Sequence, residues 1–122
     1  MAKPHHRLEV WSRSINFVTR IYEVTSGDPD AEKFGLVSQM RRAAIAIPSN
    51  IAEGAARNSR KEFRNFLPIA QGSVSELEPQ IIISQNLNFM NSIQAEPLLQ
   101  ELEEIYRMII GLQKSLRSSK IV

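Results

Sequence analysis

Apolar residues in the last third of the chain recur at alternating steps of four and three residues, and this spacing constrains the fold most. The residues of this seam are Leu98, Leu102, Ile105, Ile109, Leu112 and Leu116. A mean step of about 3.5 residues places them on one face of an α-helix that packs in a left-handed bundle. No stretch of the chain alternates like a half-buried strand. The sequence therefore predicts an all-α protein.

Helical spacing recurs in three earlier segments. The first carries the stripe Leu8, Trp11, Ile15, Val18 and Tyr22, and the third carries Phe63, Leu67, Ala70, Val74, Leu77 and Ile81. Ser59 and Glu62 form a capping-box pattern at the start of the third segment. We expect helices over roughly residues 8–26, 33–57, 60–88 and 94–118. Because the connections are short, we expect a single domain over residues 1–122, folded as an antiparallel up-down-up-down four-helix bundle.

The second segment contains a proline in the stretch "IPSNIAEG", which starts at Ile47. A proline inside a helix costs about 3 kcal/mol, so Pro48 could end the helix. The apolar stripe nevertheless keeps its phase across it: Leu36, Met40, Ala43, Ile47, Ile51 and Gly54 fall on one face. We therefore predict one helix, kinked at Pro48 and continuous through it.

Polar residues form a second stripe beside this apolar face. They are Gln39, Asn50 and Glu53, with Ala46 between them, and alanines and Gly54 flank the stripe. Small neighbours permit close approach of another backbone, so one interpretation is a specific helix–helix or subunit contact. Arg42, from another helix or subunit, is a candidate partner for Glu53. The other interpretation is a solvated flank without a specific role.

Charge is unevenly distributed although the formal net charge is only +2. In the predicted bundle nine basic residues gather at one end, which we call the basic end: Lys3, Arg7, Arg57, Arg60, Lys61, Arg64, Lys114, Arg117 and Lys120. Only Glu9, Glu53 and Glu62 oppose them there. Ten acids are expected towards the other end: Glu23, Asp28, Asp30, Glu32, Glu76, Glu78, Glu96, Glu101, Glu103 and Glu104.

Two interpretations of the basic end remain open. Cations are favoured where helices end, which accounts for Arg57, Lys114, Arg117 and Lys120. The same dipole does not account for Arg60, Lys61 and Arg64, which stand where the third helix begins. The alternative is a phosphate-binding surface that holds nucleic acid without reading its sequence.

Catalytic chemistry has little support in the sequence. Cysteine is absent. His5 and His6 are neighbours near the terminus without an evident partner, and Ser73 and Ser75 have no base at a fixed helical offset. We expect no catalytic residues, no metal site and no cofactor, and we do not expect an enzyme. No apolar run approaches the ~20 residues of a membrane span and no signal pattern is present, so we expect a cytoplasmic protein without a membrane partner.

Longer motifs carry a family resemblance. The stretches "FGLVSQMRRAAIAIPSNIAEGAAR" and "KEFRNFLPIAQGSVSELE" strongly resemble a family of four-helix-bundle proteins. Its founding members are encoded in intervening sequences of bacterial 23S ribosomal RNA genes. It is related to the accessory variability proteins of diversity-generating retroelements. Gln39 with Arg42, the "IPSNIAEG" block and "GSVSELE" are the most specific pieces.

The resemblance implies a ring-like homopentamer, and for the retroelement relatives a basic surface that binds nucleic acid and reverse transcriptase. The chain departs from the family pattern at Pro68 and Pro79 inside the third helix. Gln71 stands where a basic residue is common, and Asn88 where a turn often has glycine. The expected function is a non-enzymatic, oligomeric, accessory nucleic-acid-binding scaffold. The alternative is a protein-interaction adaptor that assembles as a ring without physiological nucleic acid.

Overall fold

Four α-helices make up most of the described chain. The computed structural model describes residues 3–32 and 34–118. The helices are α1 (Glu9–Thr25), α2 (Leu36–Ala55), α3 (Arg60–Asn86) and α4 (Ser92–Ser118), with short 3₁₀ turns at Pro4–Arg7 and Asp30–Glu32. Within these residues there is no strand.

Each helix packs on its neighbours in the chain, and α1 also packs on α4, which closes a ring of four helices. The α2–α3 contact is the most extensive. Near the start of α2, the sulfur of Met40 accepts a hydrogen bond from the Ser84 hydroxyl near the end of α3. Near the end of α2, Gly54 lies against Phe63 at the start of α3. This order is antiparallel, and the predicted four-helix bundle is confirmed.

The helices differ in length, which decides what forms each end of the bundle. α3 and α4 have 27 residues each and α1 has 17, a difference of about 15 Å at 1.5 Å per residue. Arg13, near the start of α1, contacts Glu101 and Met108 in the middle of α4. The last turns of α4 therefore extend beyond the first turn of α1.

The core contains the apolar faces predicted for α2, α3 and α4, and the predicted residues are half-buried only at Leu36, Phe63, Leu112 and Leu116. For α1 the predicted face is wrong. Its buried residues are Val10, Ser14, Phe17, Ile21 and Thr25. The predicted stripe is half-buried or exposed, with Ile15 at 39% and Tyr22 at 38% exposure.

Two hydroxyl groups explain this difference in α1. Ser14 donates to the carbonyl of Trp11 at 2.9 Å, and Thr25 donates to the carbonyl of Ile21 at 2.7 Å. A hydroxyl that is bonded to its own helix can be buried without the penalty of an unpaired polar group. The core face of α1 therefore contains polar residue types that the sequence pattern assigns to the surface.

α2 is continuous through Pro48, as the unbroken apolar phase predicts. Pro48 itself is buried, and it has no amide hydrogen to donate to the carbonyl of Ala44. The kink at this position stays a prediction. The angle between the helix axes on the two sides of Pro48 in a crystal structure would measure it.

Caps define the turns that join α2 to α3 and α3 to α4. Ser59 accepts a hydrogen bond from the Glu62 amide at 3.1 Å, which is the predicted N-cap of α3. Asn88 ends α3 with φ of 61°, a left-handed conformation that asparagine tolerates better than most residues. Asn91 and Gln94 then cap α4 by exchanging two hydrogen bonds between side chain and backbone, at 2.9 and 3.1 Å.

Candidate functional site

The hairpin between α2 and α3 holds four residues of the basic end within eight positions. Arg57 lies in the turn, and Arg60, Lys61 and Arg64 occupy the first turns of α3. Arg60 and Lys61 are exposed and Arg64 is half-buried. The cap at Ser59 fixes where α3 begins, and it therefore fixes which faces of the helix these three cations occupy.

The register of α3 against α4 brings two more cations to the same level. The Gln71 amide approaches the Tyr106 hydroxyl at 3.4 Å, and the two helices run antiparallel. If each step towards the start of α3 is matched by one towards the end of α4, Arg60 lies level with Arg117, and Arg64 lies level with Gln113, the residue before Lys114. The cations of α4 thus lie at the same end of the bundle as those of α3.

The described cations of the basic end differ in their contacts. Within residues 3–32 and 34–118, Lys61, Arg64 and Arg117 form no ion pair. Lys3, Arg60 and Lys114 each have a contact. Lys120 lies outside the described residues, and the side chain of Arg7 is outside them as well.

Arg57 is held in place by contacts with α2 and α3. Its Nη2 atom is 3.0 Å from a carboxylate oxygen of Glu53, one turn earlier. Its guanidinium lies over the ring of Phe66, with the Cζ atom 4.7 Å from the ring centroid. The side chain still keeps 41% of its surface exposed.

Gly54 permits the close packing that puts Phe66 in this position. A Cβ atom at Gly54 would lie 2.8 Å from Cδ1 of Phe63 and 2.9 Å from Cβ of Phe66. Side-chain carbon atoms do not pack this closely in folded proteins, so a side chain at position 54 would require Phe63, Phe66 or the helix that carries them to shift. The sequence pattern missed Phe66, although the signal was present: two aromatic residues about one helical turn apart in "EFRNF", directly after two basic residues and with Arg64 between them.

The polar stripe of α2 is partly satisfied within the chain. Asn50 is half-buried and donates to the carbonyl of Ala46 at 2.8 Å. Glu53 pairs with Arg57 in the same helical region, whereas Arg42 pairs with Glu76 of α3 at 3.6 Å. Gln39 is exposed.

Several acids expected at the far end lie near the middle of the bundle and are paired there. Glu76 is bound to Arg42, and Glu103 and Glu104 are both within reach of Arg107. Glu101 accepts two hydrogen bonds from Arg13. These bonds raise the pKa of the Arg13 guanidinium above its usual value, against the opposing effect of partial burial. The separation of charge between the two ends is therefore smaller than the sequence predicts.

An open apolar groove of about 370 Å³ runs between α1 and α2. Trp11, Ile15 and Val18 line it from α1, and Ile45 and Pro48 line it from α2. Trp11, Ile15 and Val18 belong to the stripe predicted for α1; Trp11 and Val18 also pack against the edge of the core, and Ile15 is exposed.

The described part of the chain shows the surroundings of Ser73 and of the residue types that bind metal ions. No group of three or more histidine, aspartate or glutamate side chains there could hold a metal ion. The Ser73 hydroxyl is 3.3 Å from the carbonyl of Ile69, and it therefore bonds to its own helix. None of the helices in residues 3–32 and 34–118 has an apolar stretch that would cross a bilayer.

The family model described as 23S rRNA-intervening sequence protein matches residues 6–111, which is most of the chain. The chain belongs to this family. The match includes the whole of α1, α2 and α3, the α2–α3 hairpin and the larger part of α4.

A solved structure supports the assignment to the 23S rRNA-intervening sequence family. It is the crystal structure of a protein with unknown function from the S23 ribosomal protein family of Bacteroides thetaiotaomicron. The two proteins share 26% sequence identity, the alignment covers 86% of this chain and 98% of the other, and the TM-score is 0.77. Neither the family description nor this structure names an enzyme. No curated protein matches the chain.

Proposed function

We propose that this protein is a non-enzymatic, oligomeric, cytoplasmic scaffold that binds nucleic acid as an accessory factor through its basic end. The observation that supports this proposal is the arrangement of the α2–α3 hairpin and the end of α4. Six cations occur there: Arg57, Arg60, Lys61, Arg64, Lys114 and Arg117. Three of them form no ion pair with described residues.

Cations in this arrangement suit phosphates better than bases. Long lysine and arginine side chains at one end of the bundle can reach a nucleic-acid backbone, and they release condensed counterions when they bind it. Such binding is independent of sequence and falls steeply as salt increases. Several copies in one oligomer would present several basic ends to one nucleic acid, which raises the overall affinity through effective concentration.

A salt titration of RNA and DNA binding tests the proposal. We expect measurable binding at about 50 mM salt, and a linear fall of the logarithm of the binding constant with the logarithm of the salt concentration. Replacing Arg60, Lys61 and Arg64 by glutamine should weaken binding to every sequence and reduce the slope. A matched control replaces Arg20, Arg41 and Arg107, which lie outside the basic end and give the same loss of charge.

The control variant distinguishes binding at the basic end from binding that depends only on the net charge of the protein. If both triple variants lose affinity equally, the binding follows net charge and the basic end has no special part in it. If the wild-type protein binds neither RNA nor DNA at low salt, the proposal is wrong.

A second candidate function is a protein-interaction adaptor, which the exposed apolar groove between α1 and α2 favours. Ile15 and Ile45 expose about two fifths of their surfaces there, and apolar surface of this kind often marks a protein contact. Absence of nucleic-acid binding, together with a mass in light scattering about five times 13.8 kDa, would support this alternative.

A further inference from the structure

Arg57 lies on an aromatic ring, a contact that Lys61, Arg64 and Arg117 do not make with the described residues. Its guanidinium is 4.7 Å from the centroid of Phe66. Arginine is suited to this position because its planar guanidinium stacks on an aromatic face, whereas lysine carries a compact point charge. With 41% of the side chain exposed, part of Arg57 faces solvent.

The position of Arg57 is fixed before any ligand arrives. Glu53 holds one guanidinium nitrogen at 3.0 Å, and the close approach at Gly54 holds Phe66 beneath it. Both contacts come from the "IPSNIAEG" stretch of α2, which therefore shapes the basic end directly. A group held in one orientation loses less freedom on binding than a free side chain.

We propose that Arg57, supported by Phe66, is a stacking platform for an unpaired nucleobase, so that the basic end prefers single-stranded nucleic acid. The inference rests on the proposed nucleic-acid binding and specifies its ligand. Unpaired bases stack on aromatic rings and on guanidinium planes, whereas the bases of a duplex are already stacked on each other. Lys61 and Arg64 follow Arg57 by four and seven residues in the same hairpin, and in this proposal they contact the flanking phosphates.

The experiment compares three probes with equal numbers of phosphates: single-stranded oligothymidylate, an oligomer of abasic sites, and a DNA duplex. Fluorescence anisotropy gives the affinity for each. Stacking of one base contributes about fivefold to a hundredfold in affinity. The wild-type protein should therefore bind oligothymidylate more tightly than the abasic oligomer by a factor in that range, and more tightly than the duplex.

Arg57→Lys keeps the positive charge and removes the planar group. It should bring the affinity for oligothymidylate down to that for the abasic oligomer, while the affinity for the abasic oligomer stays nearly constant. Arg107→Lys is the matched control, because Arg107 lies outside the basic end and has no ring contact among the described residues. It should leave the preference unchanged. Phe66→Leu, checked for folding by circular dichroism, should reduce the preference through loss of the supporting ring.

The outcomes separate this inference from the function on which it rests. Equal binding of the three probes, or a preference that survives Arg57→Lys, would overturn the stacking platform and leave phosphate binding intact. Failure to bind any probe at low salt would overturn the proposed function as well.

Discussion

The carboxylate of Glu101 accepts two hydrogen bonds from the guanidinium of Arg13, at 2.7 and 2.9 Å, and the pair joins α1 to α4. Both side chains are less than one third exposed. A third nitrogen of Arg13 is 3.6 Å from the sulfur of Met108, one further contact with α4. α1 is the shortest helix of the ring, so this contact adds to a limited apolar interface.

A double-mutant cycle on Arg13 and Glu101, each replaced by alanine, should give a coupling of about 1 kcal/mol in the free energy of unfolding. Because two hydrogen bonds join the side chains and both are partly buried, the coupling energy should exceed that of an ordinary surface ion pair. The control cycle on Arg107 and Glu103, which are 68% and 57% exposed, should give a smaller value. Equal couplings in the two cycles would mean that the Arg13–Glu101 geometry contributes nothing special. Urea unfolding measures both.

Gly54→Ala should destabilise the protein by about 1–3 kcal/mol, the usual cost of forcing an extra methyl group into a packed contact. The added Cβ would meet Phe63 and Phe66 at less than 3.0 Å. Gly72→Ala in α3 is the matched control, because nothing lies within 4 Å of its added Cβ. That variant should stabilise the protein by up to about 1 kcal/mol, since alanine is the better helix former. Thermal or urea unfolding should therefore show changes of opposite sign in the free energy of unfolding of the two variants. Stabilisation by both replacements would contradict the close contact at Gly54.

Asn91→Ala should lower the free energy of unfolding by about 1 kcal/mol, the typical loss of an N-cap. The Asn91 side chain accepts from the Gln94 amide at 2.9 Å, and the Gln94 side chain returns a bond to Asn91. Asn65→Ala is the control, since Asn65 is exposed inside α3, where asparagine has lower helix propensity than alanine. The cap at α4 would be unimportant if the two variants had equal stability in urea unfolding.

Replacement of both Asn50 and Glu53 by leucine should change assembly or stability more than replacement of both Glu103 and Lys114. Asn50 is half-buried and bonds to the carbonyl of Ala46, and Glu53 pairs with Arg57, so the first double replacement removes two contacts of the "IPSNIAEG" stretch. Light scattering gives the mass of each variant and thermal melts give its stability. A first variant with the mass and melting temperature of the wild type would leave this stripe a tolerated polar flank.

The number and order of the helices could be predicted from the sequence, because the spacing of apolar residues depends on neighbours within a few helical turns. The stripe from Leu36 to Gly54 keeps its phase through Pro48, and α2 is indeed one helix. The seam of α4 is buried from Leu98 to Ile109 and half-buried at Leu112 and Leu116. Ser59 caps α3 where the pattern places it. Each of these features depends on residues within a few turns of one another, which is why the sequence suffices.

Other features were decided only when the helices packed together. In α1 the apolar residues cover a wide arc, and packing selects the face of Phe17 over the face of Ile15 because Ser14 and Thr25 satisfy their hydroxyls within the helix. Likewise, the position of Arg57 over Phe66 depends on how closely α3 approaches Gly54. Sequence spacing fixes angles around one helix axis. The spacing carries no information on the distance between two helices, because the packing of side chains from both helices sets that distance.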